Sequence, residues 1–457
     1  MMVSRNGRGF GRAKGSASPE ARAGSRRTRI TLIVAAMLAA IAWSAAPAAA
    51  KVVKDSVTHK KFGVALSTRA PRPIATACIA DNTDCTALTY HGGAVMHAEK
   101  FYMLYWTPAG HAVPSAYRAG LNAWMNEFAG ASYTAGNLFS VDQQFYDTSG
   151  PAGAKRFVPY AITNGGQLID TNAYPASGCS DDGMPICLTD AQLSAQLQSY
   201  VTGHSLPTGP GVEYFIFTPY KVGSCFDGTS TTCAYTGYCG YHSYIGAANS
   251  STEILYANMP WAYNVSGCDT NLAFSSGYAN GDAIDPVVGV LSHEASETMT
   301  DPNLNAWFQS SGTDAGYENG DKCAYVYGNG GYGSMTGLSN NGLGYFNYTI
   351  ATDQYLMQLE WDQRILNCAR TDTDTQPIVT ITPTSATHGV STLFTAHVTD
   401  PAGINVISWN FGDGTSTTTT TATVSHTYAT AGTKTMTVIV TDNHGNEKKV
   451  IQAITVT

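Results

Sequence analysis

The sequence predicts an α+β main domain built on a mixed sheet, stapled by disulfides and followed by a small β-sandwich. Three observations predict this fold class. Apolar strand-like runs alternate with amphipathic helix-like segments up to about residue 301. All ten cysteines lie at or before Cys368. Beyond that residue, short alternating runs follow one another without helical patterns between them.

The elements of the main domain follow from the spacing of apolar residues. The predicted strands cover residues 101–106, 156–162, 213–218 and 252–257. The predicted helices cover residues 115–128, 189–201 and 285–301. The last helix has a good start signal, because Asp285 is followed by Pro286 in the first turn, and it should stop at Asp301 before Pro302.

The first 50 residues have the pattern of an export signal. Residues 1–29 are basic and polar, residues 30–43 form an apolar run, and residues 46–50 are small and suit a cleavage site. The apolar run is too short to favour a permanent membrane span. We therefore expect residues 1–50 to be a signal peptide, Lys51 to begin the mature chain, and the protein to be secreted by a bacterium.

The cysteines are expected to form disulfides. Their number is even, no C-x-x-C pair occurs, and an exported protein meets an oxidising compartment. Short loops favour disulfides between cysteines that are close in the sequence, and the four remaining cysteines would then form two longer-range disulfides. Spacing alone does not prove this connectivity. The expected pairs are Cys78–Cys85, Cys179–Cys187, Cys225–Cys233, Cys239–Cys268 and Cys323–Cys368.

Charge excludes some partners. The chain has 25 basic and 33 acidic residues, and eight basic and one acidic residue lie in the first 50, so the mature chain has 17 basic and 32 acidic side chains, a formal charge of −15. Such a surface repels nucleic acid and anionic lipid. We expect a monomer that acts on an extracellular polypeptide or a surface polymer.

The string H-E-x-x-E carries the strongest chemical signal. His293 and Glu297 are four residues apart, so both project from one face of the 285–301 helix. Zincin metallopeptidases present two metal ligands in this way, and Glu294 would act on water beside them. The helix is therefore predicted to be a zincin-like active-site helix. The alternative is a solvated helix face that carries ordinary charges.

A catalytic zinc ion needs a third protein ligand, and the candidates lie downstream. Glu318 resembles the carboxylate that thermolysin-like zincins supply from a separate segment, so we favour it slightly. Asp321, close to Cys323, could be the ligand or its hydrogen-bonded support. Asp301 lies near the same helix face, although Pro302 forces it out of helical geometry.

His242 lies in a loop rich in cysteine and tyrosine, ahead of the 252–257 strand. It could be a third metal ligand or could stabilise an oxyanion, so we include it with Glu294 among the candidate catalytic residues. The alternative is a hydrogen-bonded structural imidazole. His91 and His97 are interpreted as structural residues.

The segment after Cys368 begins with a polar stretch, residues 371–377, which we interpret as a linker. The strings W-N-F-G-D-G at 409–414 and H-T-Y at 426–428 closely resemble a PKD domain, here covering residues 378–457. The resemblance implies a β-sandwich that serves as a spacer or surface-binding module, with no chemistry of its own. Trp409 and Tyr428 should lie in its core.

Shorter strings in residues 88–370 resemble the phosphate-induced/Exordium family. They are Y-H-G-G-A-V at 90–95, C-G-Y-H at 239–242 and W-D at 361–362. The resemblance implies a secreted protein of the kind that acts in plant cell-wall and growth physiology without established catalysis. The plant pattern lacks the His-Glu pair, so its function is not transferred wholesale to a chain with H-E-x-x-E.

Two functions follow from these observations. The first is a secreted metal-dependent hydrolase formed by residues 51–370, most plausibly a zincin-like peptidase with Zn²⁺ as cofactor. The second is a non-catalytic, Exordium-like extracellular or cell-surface binding protein. A site with one histidine and two carboxylates selects zinc weakly, so Ca²⁺ is an alternative or an additional structural ion.

Overall fold

The computed structural model describes residues 52–67, 85–134, 136–181, 183–268, 284–312, 314–327, 337–338 and 345–457. The predicted signal peptide, Lys51 and Cys78 lie outside these ranges. Within them, no helix is both long enough and apolar enough to span a membrane.

A seven-stranded mixed sheet forms the frame of the main domain. In chain order its strands are β1 (Val53–Lys54), β2 (Lys61–Leu66), β3 (Glu99–Trp106), β4 (Ile162–Asp170), β5 (Val212–Phe217), β6 (Tyr238–Ile245) and β7 (Ile254–Met259). They lie side by side in the order β1-β2-β6-β7-β5-β3-β4. The strands from β7 to β4 are parallel, whereas β1, β2 and β6 pair antiparallel at the other edge. Helical connections allow the parallel order.

Helices cover both faces of this sheet. They are α1 (Ser115–Gly130), α2 (Asp190–Gly203), α3 (Ile284–Thr300) and the short α4 (Asn319–Lys322). Neighbouring residues of a strand point to opposite faces. On β6, the Tyr241 hydroxyl donates to Asp190 of α2 at 3.1 Å, whereas His242 faces Glu294 of α3. Helices α2 and α3 therefore lie on opposite faces.

Helix α3 is buried along its whole length. All 17 of its residues are buried, including His293, Glu294 and Glu297. A surface helix normally keeps its charged residues on a solvated side. The alternative interpretation of H-E-x-x-E as an ordinary solvated helix face is therefore wrong.

Most predicted elements of the main domain are found, with ends shifted by one or two residues. The predicted strand at 156–162 is wrong, because only Arg156–Phe157 and β4, which starts at Ile162, are strands. Pro159 lies between them and cannot donate a ladder hydrogen bond. The glycines of β4 concealed the true strand from sequence reasoning, since the register shifts there to form a bulge.

Short ladders and two 3₁₀ helices are the remaining elements among the described residues of the main domain. The paired strands are Thr89–Tyr90 with Trp307–Phe308, Tyr146–Asp147 with Arg156–Phe157, Ile186–Thr189 with Val222–Cys225, Gly337–Leu338 with Tyr345–Phe346, Tyr348–Ile350 with Asp353–Tyr355, and Glu360–Asp362 with Asn367–Ala369. The 3₁₀ helices are Leu138–Gln144 and Pro151–Gly153.

Disulfides fasten these loops as predicted. The four bridges between described cysteines are Cys179–Cys187, Cys225–Cys233, Cys239–Cys268 and Cys323–Cys368. Cys85 is also disulfide-bonded, and its predicted partner Cys78 lies outside the described residues.

The C-terminal segment is the predicted β-sandwich. Its strands are β8 (Ile378–Thr382), β9 (Ser385–Ala386), β10 (Ser391–Thr399), β11 (Ile404–Asn410), β12 (Ser416–Thr419), β13 (Thr423–Thr427), β14 (Gly432–Asp442) and β15 (Glu447–Val456). One sheet has the order β8-β10-β13 and the other β9-β15-β14-β11-β12. Trp409 and Tyr428 are buried in the core between them, as expected.

The two domains have separate apolar cores and meet through polar groups. The Gln376 amide donates to the backbone oxygens of Tyr133, at 3.2 Å, and Glu447, at 2.9 Å. Part of the predicted linker is fixed to the main domain, because the Asp372 N–H donates to Ser140 and its carboxylate pairs with Arg364. Asp374 in turn pairs with His444 of the sandwich, and the linker role of residues 371–377 stays a prediction.

A chain that ends at Thr375 should fold without the sandwich. We expect it to remain folded with a free energy of unfolding lower by about 2–6 kcal/mol, because it loses four hydrogen bonds to the sandwich and Gln376 worth about 0.5–1.5 kcal/mol each. Urea unfolding and a thiol assay of the folded protein measure this. A chain that ends at Arg370 is the matched contrast: it also loses the Asp372 contacts and should be less stable. Aggregation of the longer truncation would contradict the domain boundary.

Candidate metal centre

Helix α3 aligns two of the predicted ligands. His293 and Glu297 lie one turn apart, and His293 Nε2 is 2.9 Å from Glu297 Oε1. The other ring nitrogen, Nδ1, is 3.1 Å from Gln358 Oε1, and the Gln358 amide donates to the Gly320 oxygen at 3.0 Å. Gln358 thereby fixes the imidazole with Nε2 directed at the carboxylates.

Strand β6 brings the second histidine to the same place. His242 Nδ1 is 3.3 Å from Glu294 Oε2 and 3.6 Å from Glu297 Oε2. Its Nε2 lies 3.8 Å from Glu318 Oε1. Glu294 is held from its other side, since its Oε1 accepts the Ala65 N–H at 3.1 Å.

The α4 segment supplies the remaining carboxylates. Asp321 Oδ1 is 3.4 Å from His293 Nε2, and the Asp321 N–H donates to Glu297 Oε1 at 3.0 Å. Asp321 Oδ2 accepts the Glu318 N–H at 3.0 Å. Neither carboxylate oxygen of Glu318 has a hydrogen-bond partner, although this side chain is fully buried. We call His242, His293, Glu294, Glu297, Glu318 and Asp321 the His–carboxylate cluster.

Asp301 belongs to neither group of donors whose atoms lie within 4.8 Å of one another, although its Oδ2 is buried without a hydrogen-bond partner, and its role as a ligand stays a prediction. Its Oδ1 accepts the N–H groups of Asn305 and Ala306, both at 2.6 Å. The chain leaves the helix before Pro302, as the sequence suggested, and Asp301 then closes the turn that follows. Sequence reasoning missed Gln358, because a lone glutamine 65 residues beyond His293 has no motif to mark it.

Burial and mutual charge control the pKa values in the cluster. Burial alone would lower the pKa of His242, but its hydrogen bonds to Glu294 and Glu297 and their charges raise it to about 10. Burial, and then the charge of Glu297, raise the pKa of Asp321 to about 8. Burial and the surrounding carboxylates likewise raise the pKa of Glu318 well above its usual range. Burial alone would raise the pKa of Glu297, but the charge of His293 and the hydrogen bonds of both histidines lower it to about 2, so without a cation the cluster holds this ionised carboxylate beside protonated groups.

Three of the four distances between histidine and carboxylate atoms within the two donor groups fit a divalent cation, and the fourth, 2.9 Å between His293 Nε2 and Glu297 Oε1, is that of a direct ion pair. Bonds of 2.0–2.2 Å in tetrahedral geometry put ligand atoms roughly 3.3–3.6 Å apart. The separations that join His242 Nδ1 to Glu294 and His293 Nε2 to Asp321, 3.3 and 3.4 Å, fall in this range. Two groups of three donors have all their atoms within 4.8 Å of one another, namely His242 with Glu294 and Glu297, and His293 with Glu297 and Asp321.

The close approach of β2 to the cluster requires glycine. A Cβ on Gly63 would lie 2.0 Å from His242 Cε1 and 2.6 Å from Glu318 Oε2. Any larger residue would displace one of these side chains. Strand β2 thus forms one wall of the cluster, which no spacing in the sequence had indicated.

Comparison with known proteins agrees with both resemblances. Residues 374–457 match the family model described as PKD domain, and residues 226–371 match that described as phosphate-induced protein 1 conserved region. The chain carries both regions. All six residues of the His–carboxylate cluster lie in the phosphate-induced protein 1 region.

The individual relatives match parts of the chain. Protein EXORDIUM-like 3 of Arabidopsis thaliana is 35% identical over 92 residues, which make up 20% of this chain and 27% of that protein. The chain therefore matches only about a quarter of this relative's length.

Solved structures of small domains are also similar. One is a structure from work on the promiscuous specificity of carbohydrate-binding modules of the β-sandwich superfamily. It is 33% identical to this chain, and the match covers 19% of this chain and 36% of the solved chain with a TM-score of 0.18. The PKD1 domain of a Vibrio cholerae metalloprotease is 27% identical over 18% of this chain and 98% of that domain, with a TM-score of 0.16. The two family matches support an extracellular location, and neither family description names an enzymatic activity.

Replacement of Gly63 by alanine tests the geometry of the wall. We expect Gly63→Ala to lower the free energy of unfolding by about 1–3 kcal/mol, because an added methyl group in a packed interior forces side chains to move. Gly203→Ala, at the end of α2 with no atom within 4 Å of the new Cβ, is the control and should be neutral or slightly stabilising. Urea unfolding measures both. Equal stability of Gly63→Ala and wild type would contradict the close approach.

Proposed function

We propose that this is an extracellular protein whose phosphate-induced protein 1 region binds a divalent cation in a structural, non-catalytic site. The observation that carries the proposal is the convergence of two imidazoles and four carboxylates in the interior. Each of the six side chains in the His–carboxylate cluster belongs to a residue that is at most 2% exposed. Charged groups are not buried together at low cost unless they are paired or bind metal.

The donor set favours zinc among common cations. Imidazole nitrogen is a usual ligand of zinc, whereas Ca²⁺ prefers six to eight oxygen ligands. A cation bound here would connect strand β6, helix α3 and the α4 segment, which are distant in the sequence. Binding energy at such a site adds directly to the stability of the folded state.

Access to the cluster supports a structural role rather than catalysis. The cavity beside His293 has a volume of about 20 Å³, and Gly289, Val290 and Gln358 are among the residues that line it. This volume holds about one water molecule. This particular cavity is too small to hold a peptide.

A metal-dependent hydrolase is the second candidate, and Glu294 favours it. Its Oε2 lies 3.3 Å from His242 Nδ1, and burial raises its pKa, the direction expected of a general base. A divalent cation would supply polarisation of a substrate carbonyl. Glu294 would then take a proton from water and pass it to the leaving amine, as the H-E-x-x-E motif of a zincin-like helix suggests.

Metal analysis tests the main proposal. The full mature chain, purified without chelator and analysed by mass spectrometry, should contain at least one equivalent of zinc. Removal of the zinc by a chelator should lower the thermal stability, since a ligand at 1,000 times its Kd stabilises by about 4 kcal/mol. His293→Gln should lose the metal, whereas His388→Gln in the PKD domain should keep it. A metal-free wild type whose stability does not respond to added zinc would contradict the proposal.

An assay with casein separates the two candidates. The structural proposal predicts no cleavage by the zinc-loaded full chain. The hydrolase candidate predicts cleavage that a chelator stops and that Glu294→Gln reduces by about 10²–10⁴-fold, the usual contribution of a positioned general base. A trace of contaminating protease is recognised because Glu294→Gln would leave its activity unchanged.

A further inference from the structure

We propose that the His–carboxylate cluster binds two divalent cations, with Glu297 as the carboxylate that bridges them. This inference rests on the proposed metal binding and adds the number of ions and the ligands of each. The observation behind it is that the cluster contains two groups of three possible metal ligands, and Glu297 belongs to both groups.

The first group is built on the helix and the α4 segment. His293 Nε2 lies 2.9 Å from Glu297 Oε1 and 3.4 Å from Asp321 Oδ1. Gln358 holds the other ring nitrogen, so Nε2 is free to be the ligand atom. Three donors of this kind form an ordinary zinc site with one position left over.

The second group lies on the strand side of the helix. His242 Nδ1 is 3.3 Å from Glu294 Oε2 and 3.6 Å from Glu297 Oε2. Glu318 Oε1 faces the opposite ring nitrogen at 3.8 Å. This separation is too long for a hydrogen bond, and its shortening on metal binding would give the usual carboxylate support for a histidine ligand. It assigns Glu318 a positioning role and not the place of a ligand that the sequence favoured.

Glu297 joins the two groups because its oxygens face different histidines. Oε1 faces His293 and Oε2 faces His242, and Oε2 has no hydrogen-bond partner. A carboxylate oriented in this way can bind one cation through each oxygen. Metal pairs in proteins are commonly about 3.5–4 Å apart, a separation that such a bridge spans.

Charge and orphaned atoms favour two ions over one. A cation in the first group alone would leave Glu297 Oε2 buried without a hydrogen-bond partner, whereas an ion in the second group would bind this oxygen. The four carboxylates of Glu294, Glu297, Glu318 and Asp321 carry four negative charges when ionised. Two divalent cations with neutral imidazoles balance that charge, whereas one leaves a charge of −2 that protons on the histidines or carboxylates must neutralise.

Metal stoichiometry tests this inference on the full mature chain. After loading with excess zinc and dialysis, mass spectrometry should find two zinc ions per chain. One ion would overturn the bridge and leave the proposed function intact, whereas no ion would overturn both. The wild-type count decides the question even if a variant fails to fold.

Variants then assign the ions to their groups. Asp321→Asn and Glu294→Gln should each reduce the count from two to one, and Glu297→Gln should bind the fewest ions. Asp301→Asn, a buried carboxylate outside both groups, is the control and should retain two. A Glu294→Gln protein that still binds two ions would overturn the second group. Manganese gives an independent readout, since electron paramagnetic resonance should show a coupled pair in the wild type and isolated ions in Glu294→Gln.

Discussion

The rest of the main domain depends on one constraint: helix α3 carries ionisable side chains into a region without solvent. The effective cost of burying an ion is several kcal/mol, so each charge needs a partner. The partners come from every element that packs against the helix. Strand β6 contributes His242, and strand β2 contributes the N–H group of Ala65. The α4 segment contributes Asp321, and the segment just before the strand Glu360–Asp362 contributes Gln358. Loss of any one leaves a buried charge without its counterpart.

Two disulfides fix the backbone next to residues that pair with the charges of α3. Cys239 precedes His242 by three residues and is bonded to Cys268, while Cys323 follows Asp321 by two residues and is bonded to Cys368. A cross-link restricts the unfolded chain and so favours the folded one. Here the cross-linked positions are next to the residues that must converge on α3. The oxidising environment predicted from the cysteine count thus has a local consequence at the cluster.

The sequence predicted the parts of the site that share one helix turn or one motif. His293, Glu294 and Glu297 were found because a spacing of four residues has a fixed meaning on a helix. Glu318, Asp321 and His242 were found as candidates, but nothing in their spacing told which atoms would face which histidine. Gly63 and Gln358 were missed, because their roles arise only when distant segments pack together. Strand β4 was missed for a related reason: its glycines form a bulge that looks like a break in the pattern.

The site includes a strand that lies outside the region matched by the family model. The phosphate-induced protein 1 region, residues 226–371, contains all six cluster residues. The wall of the cluster is β2, outside that region, which pairs with β6 through Gly63 opposite His242. The site is therefore a property of the whole sheet. The ionisable residues of the cluster lie in the matched region. Strand β2, which separates them from water, lies almost two hundred residues before His242 in the sequence.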